Sequence, residues 1–510
     1  MDDVKEKNSS KNIRLGAVLG YVALILSIVS GLVYTPWIKD VIGKNNYGLY
    51  TLSTSLVNLF LIDFGLSVTA NTFLAKYRAD NDEKSISIFL TAIYRIFFVL
   101  DALVLLCFTV VYFCINYIYA GLTPDEINSL KVIFLIAAGF SVLSFPCTVF
   151  SGVLQAYEKF IALKVADILQ RVFYIVGSAI VLVLGGGLYG VVLANFGSAL
   201  LCHFFRYVFL RRGTSAKANF HAKISKSFVK QILFYSGWAA IQSIGSRFVF
   251  NIMPSILGIV SNSNNIATFG FIAQLEGYVY LFGNVMGGFF LPKIARLQKE
   301  QNAREAIDRF AIKVAKIQFF FVGLIFVGFL CCGIDFVNLW LSHDSATNEI
   351  YVGTLLIISY QLFFVPEMVY YNEMYLTNHV RPLAIGSIVK AVLNCILAFL
   401  LGYFYGAIGA AISVFISRIF ELVYINVAYK KYLNVPLGSF FIKSFGKPLL
   451  PFFIAATLGV SLYLLLPLQE IYRFITTGIC VVACYALIYW FFALNKEEKS
   501  GIMHFLSKKK

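Results

Sequence analysis

Charged side chains are scarce in this chain. They make up 13% of its 510 residues, whereas hydrophobic residues make up 59%. A soluble protein carries roughly 25% charged residues. The composition therefore excludes an ordinary soluble protein and indicates a membrane protein. Long apolar runs without two-residue alternation favour helices over a β-barrel as the membrane-spanning structure.

The sequence also lacks the common motifs of metal and nucleotide sites. The nine cysteines lie in or beside apolar runs, and the five histidines are scattered. Neither GxxxxGK[ST] nor HExxH occurs. A GxGxxG match at 185–190 sits in a short turn between apolar runs with no strand before it, so we interpret it as a turn. We expect no catalytic residue, no metal and no cofactor.

Apolar runs dominate what is present. A helix that crosses a bilayer needs about 20 mostly apolar residues. We predict about fourteen transmembrane helices in an all-α polytopic membrane protein. The first run is too long for the core of a signal peptide, so we expect it to be retained. The predicted spans, numbered 1 to 14 in chain order, are 15–38, 47–74, 87–115, 131–154, 163–184, 187–210, 231–259, 266–291, 314–337, 350–376, 383–402, 404–428, 449–467 and 471–493.

Basic residues alternate from one side of the predicted membrane to the other. With the N-terminus in the cytoplasm, most of the 42 Lys and Arg fall in cytoplasmic segments, and the opposite segments hold Lys39, Lys44 and Arg473. This asymmetry follows the positive-inside rule and predicts that both termini are cytoplasmic. The net charge of +16 is explained by the orientation of the chain in the membrane and by contact with anionic lipids. We therefore do not interpret it as a sign of nucleic-acid binding.

Three short matches at nearly equal offsets indicate an internal repeat. They pair the segments 73–76 and 290–293, the prolines at 146 and 366, and the Tyr-Gly steps at 189 and 405. We predict two six-helix lobes of the same orientation, at 1–228 and 229–432. The remaining segment, 433–510, is predicted to be an extra helix pair with a basic tail. Transporters commonly bind substrate between such repeats.

Ionisable groups inside predicted spans each cost about 2.5–3.5 kcal/mol at a helix centre, so they should face protein or water. Arg247 and Asn251 lie on a small and polar stripe of span 7. Lys390 and Asn394 form a similar row in span 11. We predict that these groups bind a polar or anionic substrate. The full set of candidate binding residues is Arg247, Lys390, Asn251, Tyr280, Asn284, Asn394 and Arg171.

Buried carboxylates are candidates for ion coupling, because loss of hydration favours their protonated or cation-bound form. The candidates are Asp63, Glu276 and Asp167. Structural ion pairing is the alternative. Asp167 and Arg171 are spaced i, i+4, and Arg418 and Glu421 can pair within one helix.

Glu367 and Glu373 flank a tyrosine-rich stretch of span 10. These tyrosines could contact sugars or anchor the helix at the membrane interface, and the sequence favours neither.

Several short motifs make the chain resemble a known group, the polysaccharide-transport or O-antigen flippase (Wzx-type) branch of the multidrug/oligosaccharidyl-lipid/polysaccharide exporter superfamily. The resemblance covers the chain in order. The motifs are YGLY at 47–50 with DFGL at 63–66, LQAYEKF at 154–160, FVNLWL at 336–341, and TN at 377–378 with RP at 381–382.

The resemblance implies two six-helix lobes in a MATE-like pseudo-two-fold arrangement, around a cavity that opens alternately to either side. It implies a polyprenyl-diphosphate-linked oligosaccharide as cargo, moved from the cytoplasmic to the outer leaflet of a bacterial inner membrane for surface polysaccharide synthesis. It also implies coupling to H⁺ or Na⁺ and other polysaccharide-assembly proteins as partners. Asp63 is the one residue carried over from a family motif.

Two other functions are compatible with the sequence. A MATE-like antiporter for small molecules or cations would use the same fold with a more acidic cavity. A membrane glycosyltransferase or polymerase would need a sizeable extramembrane loop, and the outer loops of this chain are short. We therefore expect a transporter rather than an enzyme.

Overall fold

The computed structural model describes residues 2–62, 64–80, 82–221, 224–284, 290–495 and 499. Nearly all of them are helical, and these ranges contain no strand. The predicted all-α class is confirmed.

Nineteen α-helices follow one another along the described chain. The first eight are α1 (Asp2–Ile42), α2 (Lys44–Phe60), α3 (Leu66–Ala79), α4 (Glu83–Ile118), α5 (Pro124–Ser144), α6 (Val149–Ala156), α7 (Phe160–Val183) and α8 (Gly187–Gly213). The next seven are α9 (Lys226–Phe250), α10 (Met253–Val260), α11 (Ser263–Asn284), α12 (Phe290–Leu297), α13 (Ala303–Trp340), α14 (Thr347–Phe364) and α15 (Met368–Leu376). The last four are α16 (Val380–Leu433), α17 (Leu437–Phe445), α18 (Leu449–Leu465) and α19 (Glu470–Ile488).

These helices indicate a multi-pass membrane protein. Among the described residues, nine helices are long and apolar enough to cross a bilayer, or eleven when two bent pairs are each counted as one span. Each of the fourteen predicted spans overlaps a helix or a broken helix. The number fourteen itself stays a prediction.

The helix breaks have local causes. Pro146 and Pro366 each sit in a short 3₁₀ segment, Phe145–Thr148 and Val365–Glu367, because proline cannot donate the helical N–H bond. These are the prolines that the repeat aligns. Predicted spans 11 and 12 merge into α16, but Gly406 interrupts it with φ +56°, a conformation that glycine adopts readily.

Helix starts carry the expected capping residues. Thr123 and Glu126 form a capping box at α5. The Asp82 carboxylate accepts the Ser85 amide, N to Oδ1 2.9 Å, at the start of α4. The Ser225 hydroxyl accepts the Phe228 amide at the start of α9. These side chains satisfy amide groups that have no partner within the helix.

Two compact units divide the chain, each described here by itself. The first contains Met1–Gly270 and Ser387–Gly406, and the second contains Phe271–Gly386 and Ala407–Lys510. Within α16, residues 387–406 belong to the first unit, whereas residues 380–386 and 407–433 belong to the second. The lobe boundaries expected from the repeat, at 228 and 432, stay a prediction.

In the second unit, α18 and α19 pack on α13. The Tyr485 hydroxyl of α19 donates to the Phe319 carbonyl of α13 at 3.4 Å, and the Phe319 ring lies 5.9 Å from the Phe452 ring of α18. The extra helix pair is therefore an integral part of this unit.

Candidate functional site

Arg247 lies in the last turn of α9 and is half-buried. Its Nη1 donates to the backbone carbonyl of Asn58 in α2 at 2.9 Å. Asn251 ends the same helix, and its amide donates to the Arg247 carbonyl at 3.0 Å. The two polar groups proposed from span 7 therefore occupy successive turns at one helix end.

Lys390 and Asn394 lie in the part of α16 that belongs to the same unit as α9. They are 1% and 0% exposed. The Asn394 side-chain amide donates to the Val249 carbonyl at 3.1 Å. This contact joins the predicted row of span 11 directly to the predicted stripe of span 7.

The two helices cross at Gly245 and Ser387. A Cβ atom at Gly245 would stand 2.7 Å from the Ser387 backbone and side chain, so only glycine permits this approach. Arg247 and Lys390 each follow the crossing within one turn. The structure therefore brings these two cations onto facing helices in one compact unit. A buried ammonium group is costly unless an anionic or polar partner stabilises it.

Asp167 and Arg171 do not pair with each other. Asp167 forms ion pairs with Arg206 at 2.7 Å and with Lys164 at 3.2 Å. The Arg171 Nε donates to the Ser30 hydroxyl at 2.7 Å. Helical spacing suggested the wrong partner because the competing groups come from other helices of the fold.

The sequence analysis missed a row of polar groups next to Arg171. The Arg171 guanidinium stands 5.6 Å from the Tyr174 ring centre. The Tyr174 and Tyr50 hydroxyl oxygens are 3.4 Å apart, and the Asn195 amide donates to Tyr50 at 2.9 Å. The sequence could have identified Asn195, because it is an amide side chain inside an apolar span. It could not have identified Tyr50 and Tyr174 as neighbours, because α2, α7 and α8 come together only in the fold.

Glu276 lies in the second unit and is 5% exposed. The Gln361 amide donates to its carboxylate at 2.5 Å. Arg418 contributes a nearby positive charge and also contacts Glu421, with 3.7 Å between Nη1 and Oε2. On the other side of the cluster, the Tyr360 hydroxyl donates to the Glu421 carboxylate at 3.2 Å.

This cluster contains two carboxylates and one guanidinium. Glu276 and Glu421 together carry two negative charges, and Arg418 carries one positive charge. Acidic groups therefore outnumber basic groups among the described side chains of this cluster. Burial favours the protonated or cation-bound form of a carboxylate. The predicted pair Arg418–Glu421 is confirmed, as one side of a larger network.

Three candidate residues remain, and the structure describes the side chain of only one of them, Tyr280. Tyr280 is half-buried in α11 and lies near Tyr371 and Tyr375. Asn284 ends α11, and its side chain lies outside the described residues. Asp63 also lies outside them.

The acidic residues of the tyrosine-rich stretch have internal partners. Glu367 is 1% exposed and accepts the Asn426 amide at 2.9 and 3.0 Å. Glu373 accepts Arg304 Nη1 at 3.0 Å, and Tyr370 is fully buried. These groups stabilise the second unit, so direct sugar contact by Glu367, Glu373 and Tyr370 is not supported.

No group of three or more His, Cys, Asp or Glu side chains that could hold a metal ion occurs in the part of the chain that the structure describes.

Comparison with solved structures identifies the fold. The Lipid II flippase MurJ in an inward closed conformation matches with a TM-score of 0.69 and 16% identity, covering 93% of this chain and 97% of that one. An inward-facing multidrug resistance MATE family transporter of the MOP superfamily matches at 0.68 and 13%, covering 80% and 96%. A MOP superfamily transporter from Pyrococcus furiosus, described by the reverse polarity of its binding pocket, matches at 0.57 and 12%, covering 83% and 97%.

The sequence comparison identifies the family. No curated protein matches the chain at a significant level. The family model described as polysaccharide biosynthesis protein matches residues 16–298, more than half of the chain. The resemblance found in the sequence is confirmed, and the solved structures with similar folds are those of a flippase and of transporters. The chain is a member of the polysaccharide biosynthesis protein family, a multi-pass membrane protein with the fold of the MOP exporter superfamily.

Proposed function

We propose that this protein is a flippase for a polyprenyl-diphosphate-linked oligosaccharide. It moves the sugar headgroup from the cytoplasmic to the outer leaflet of a bacterial inner membrane by alternating access, for the synthesis of O-antigen, capsule or exopolysaccharide. Both termini face the cytoplasm, and other polysaccharide-assembly proteins supply and consume the cargo.

The observation that carries this proposal is the pair of cations on the facing helices α9 and α16. Arg247 can bind two phosphate oxygens as a fork, and Lys390 adds a point charge. Asn251 and Asn394, one turn beyond, add amide groups of the kind that bind sugar hydroxyls. Together these groups match an anionic, hydroxyl-rich headgroup better than an organic cation.

Physical chemistry explains why such a site is needed. A sugar diphosphate cannot cross hydrocarbon alone, because its polar groups would lose water without new partners. Protein groups that replace water remove this barrier, while the isoprenoid tail stays in lipid. No covalent step is required.

The buried cluster around Glu276 supports coupling to H⁺ or Na⁺. The Glu276 carboxylate can bind either ion, and binding would change its charge balance with Arg418 and Glu421. In this proposal that change alters the packing of α11, α14 and α16 in the second unit. Neutralising Glu276 as E276Q should make transport insensitive to the ion gradient, which ion-gradient jumps in proteoliposomes would measure.

The main test uses purified protein in proteoliposomes with a fluorescently labelled polyprenyl-diphosphate disaccharide. A membrane-impermeant quencher then reports which leaflet holds the label. We expect Arg247→Gln and Lys390→Gln each to weaken headgroup binding about tenfold or more, since a hydrogen bond to a charged group contributes about 1.5–3 kcal/mol. Arg247→Lys keeps the charge and should retain partial activity.

Lys131→Gln is the matched control, because Lys131 also lies in a predicted span but contacts the Tyr112 ring of α4 instead. Normal flipping by R247Q and K390Q would contradict the proposal.

A small-molecule or cation antiporter is the second candidate, favoured by the acidic excess at Glu276 and by the similar fold of MATE transporters. It predicts that an organic cation such as ethidium is exported in exchange for H⁺ or Na⁺. It further predicts that E276Q abolishes this export while R247Q and K390Q do not.

A further inference from the structure

A groove of about 450 Å³ runs between α4 and α9 in the first unit. Its walls are apolar, with Ile96, Val99 and Leu100 on one side and Val229 and Leu233 on the other. Val99 and Leu233 are exposed, at 63% and 47%. In a membrane protein, exposed apolar side chains of spanning helices face lipid, so this α4–α9 groove opens to the bilayer.

Two cations line the α4–α9 groove together with these apolar residues. They are Arg95 on α4 and Lys226, the first residue of α9, and both are exposed. None of the described residues that line the groove is acidic. Apolar walls joined to two positive charges complement a molecule that has an anionic head and a hydrocarbon tail.

The connection that follows α8 fixes the position of Arg95. Arg95 Nη2 donates to the Phe220 carbonyl at 2.6 Å. The Asn219 amide donates to the Thr91 hydroxyl at 2.9 Å, and the Phe220 ring packs 6.0 Å from that of Tyr94. Guanidinium has five donors, so Arg95 can hold this carbonyl and a phosphate oxygen together.

The dimensions of the α4–α9 groove suit one leaflet. Its wall on α4 extends from Ala92 to Leu100, which is about 12 Å of helix. Half of a bilayer's hydrocarbon core is about 15 Å thick. Lys226 begins a span on the side that the positive-inside pattern assigns to the cytoplasm. A lipid headgroup of the cytoplasmic leaflet would therefore meet the two cations while its tail follows the apolar walls.

We propose that the α4–α9 groove binds an anionic glycerophospholipid of the cytoplasmic leaflet, with its phosphate against Arg95 and Lys226 and an acyl chain along Val99, Val229 and Leu233. Basic pockets between membrane helices on this side suit such headgroups. A polyprenyl carrier fits less well, because its tail is several times longer than the groove. The inference does not depend on the transport function proposed above.

Native mass spectrometry of the full-length protein in detergent tests this proposal, with phosphatidylglycerol and phosphatidylcholine as probes. We expect wild-type protein to retain phosphatidylglycerol in preference to phosphatidylcholine. Each cation near a headgroup changes affinity about fivefold. Lys226→Gln should therefore lower the phosphatidylglycerol affinity about fivefold, and R95Q/K226Q should lower it further. Val229→Trp, which fills the groove without changing charge, should weaken retention of both lipids.

The matched control is K430Q/K431Q, which removes two exposed charges from the end of α16 in the second unit. It should leave phosphatidylglycerol retention unchanged. Lys226 contributes a flexible, exposed side chain, so K226Q provides a folded variant even if loss of Arg95 disturbs the connection after α8. The swap R95K/K226R keeps both charges and should retain binding.

Three results would overturn the proposal. The first is unchanged phosphatidylglycerol affinity in both K226Q and R95Q/K226Q. The second is an equal loss in the control pair, which would indicate a general charge effect. The third is displacement of phosphatidylglycerol by undecaprenyl diphosphate at lower concentration, which would assign the groove to the carrier instead. Because retention is measured without transport, none of these results tests flipping.

Discussion

Asp335 is a buried carboxylate that joins the extra helix pair to α13. Its side chain is 1% exposed, and Arg473 at the start of α19 binds both of its oxygens at 2.5 and 2.8 Å. Tyr463 of α18 packs under the guanidinium, 4.5 Å from its ring centre. One residue of α13 thereby holds both α18 and α19 in place.

Replacing Asp335 with Asn should destabilise the protein by about 3 kcal/mol. Removing one member of a buried ion pair costs about 3–5 kcal/mol, and the lower value applies because Arg473 is still 22% exposed. Chemical unfolding of the purified protein in detergent, followed by tryptophan fluorescence, measures the change. The double variant D335N/R473M should recover part of the loss, because it also removes the guanidinium that D335N leaves without a carboxylate partner.

Glu470 supplies a control for this prediction at the same helix end. Its contact with His343, at 3.4 Å, is exposed to solvent. Exposed pairs contribute about 0–1 kcal/mol, so E470Q should change stability little. Equal effects of D335N and E470Q would contradict a special role for the buried pair.

Individual residues also show how far sequence reasoning reaches. The rarity of charge inside spans was sufficient to select Glu276, Arg247 and Lys390, because each is costly in hydrocarbon wherever it lies. Spacing along one helix could not select partners between helices. Arg171 therefore received the wrong partner, and the roles of Tyr50 and Tyr174 appeared only once their helices were packed together.

The crossing of α9 and the first part of α16 depends on one glycine. Gly245→Ala would place a methyl group 2.7 Å from the Ser387 backbone. Overpacking of this kind costs about 1–3 kcal/mol. Because the crossing also positions Arg247 and Lys390, G245A should lower headgroup binding together with stability. Unfolding measurements and the leaflet assay on the same preparation give both values.

Gly237 offers a matched control in the same helix. A Cβ atom at Gly237 meets no other atom within 4 Å. G237A should therefore be neutral, or should stabilise α9 by up to about 1 kcal/mol through helix propensity. A loss in G237A as large as that in G245A would show that helix flexibility, rather than the close crossing, is what matters.

For the helices, the positions of prolines and the lengths of apolar runs predicted more of the structure than side-chain patterns did. Each predicted span overlaps a helix, and Pro146 and Pro366 mark breaks at positions that the repeat aligned. The helix also bends by 42° between α9 and α10, next to Pro254 in the first turn of α10. Short helices such as α6 and α15 continue a span beyond a break, so apolar length alone could not separate them.

For the whole molecule, charge distribution makes the sharpest prediction, because it fixes the orientation of every connection. A segment rich in Lys and Arg resists translocation, so it stays in the cytoplasm. The connection after Gly213 is basic, whereas the turn between α4 and α5, around Gly121, carries no Lys or Arg. We therefore expect these two connections to lie on opposite sides of the membrane, with the connection after Gly213 in the cytoplasm.

Reporter fusions measure that orientation directly. Alkaline phosphatase fused after Gly121 should be active because the enzyme folds only outside the cytoplasm, whereas a fusion after Thr214 should be inactive. Green fluorescent protein at the same two positions should give the reverse result, which controls for expression. Phosphatase activity at both positions would mean that the number of crossings between them is even rather than odd. The side assigned to the connection after Gly213, including the cytoplasmic position of Lys226, would then be wrong.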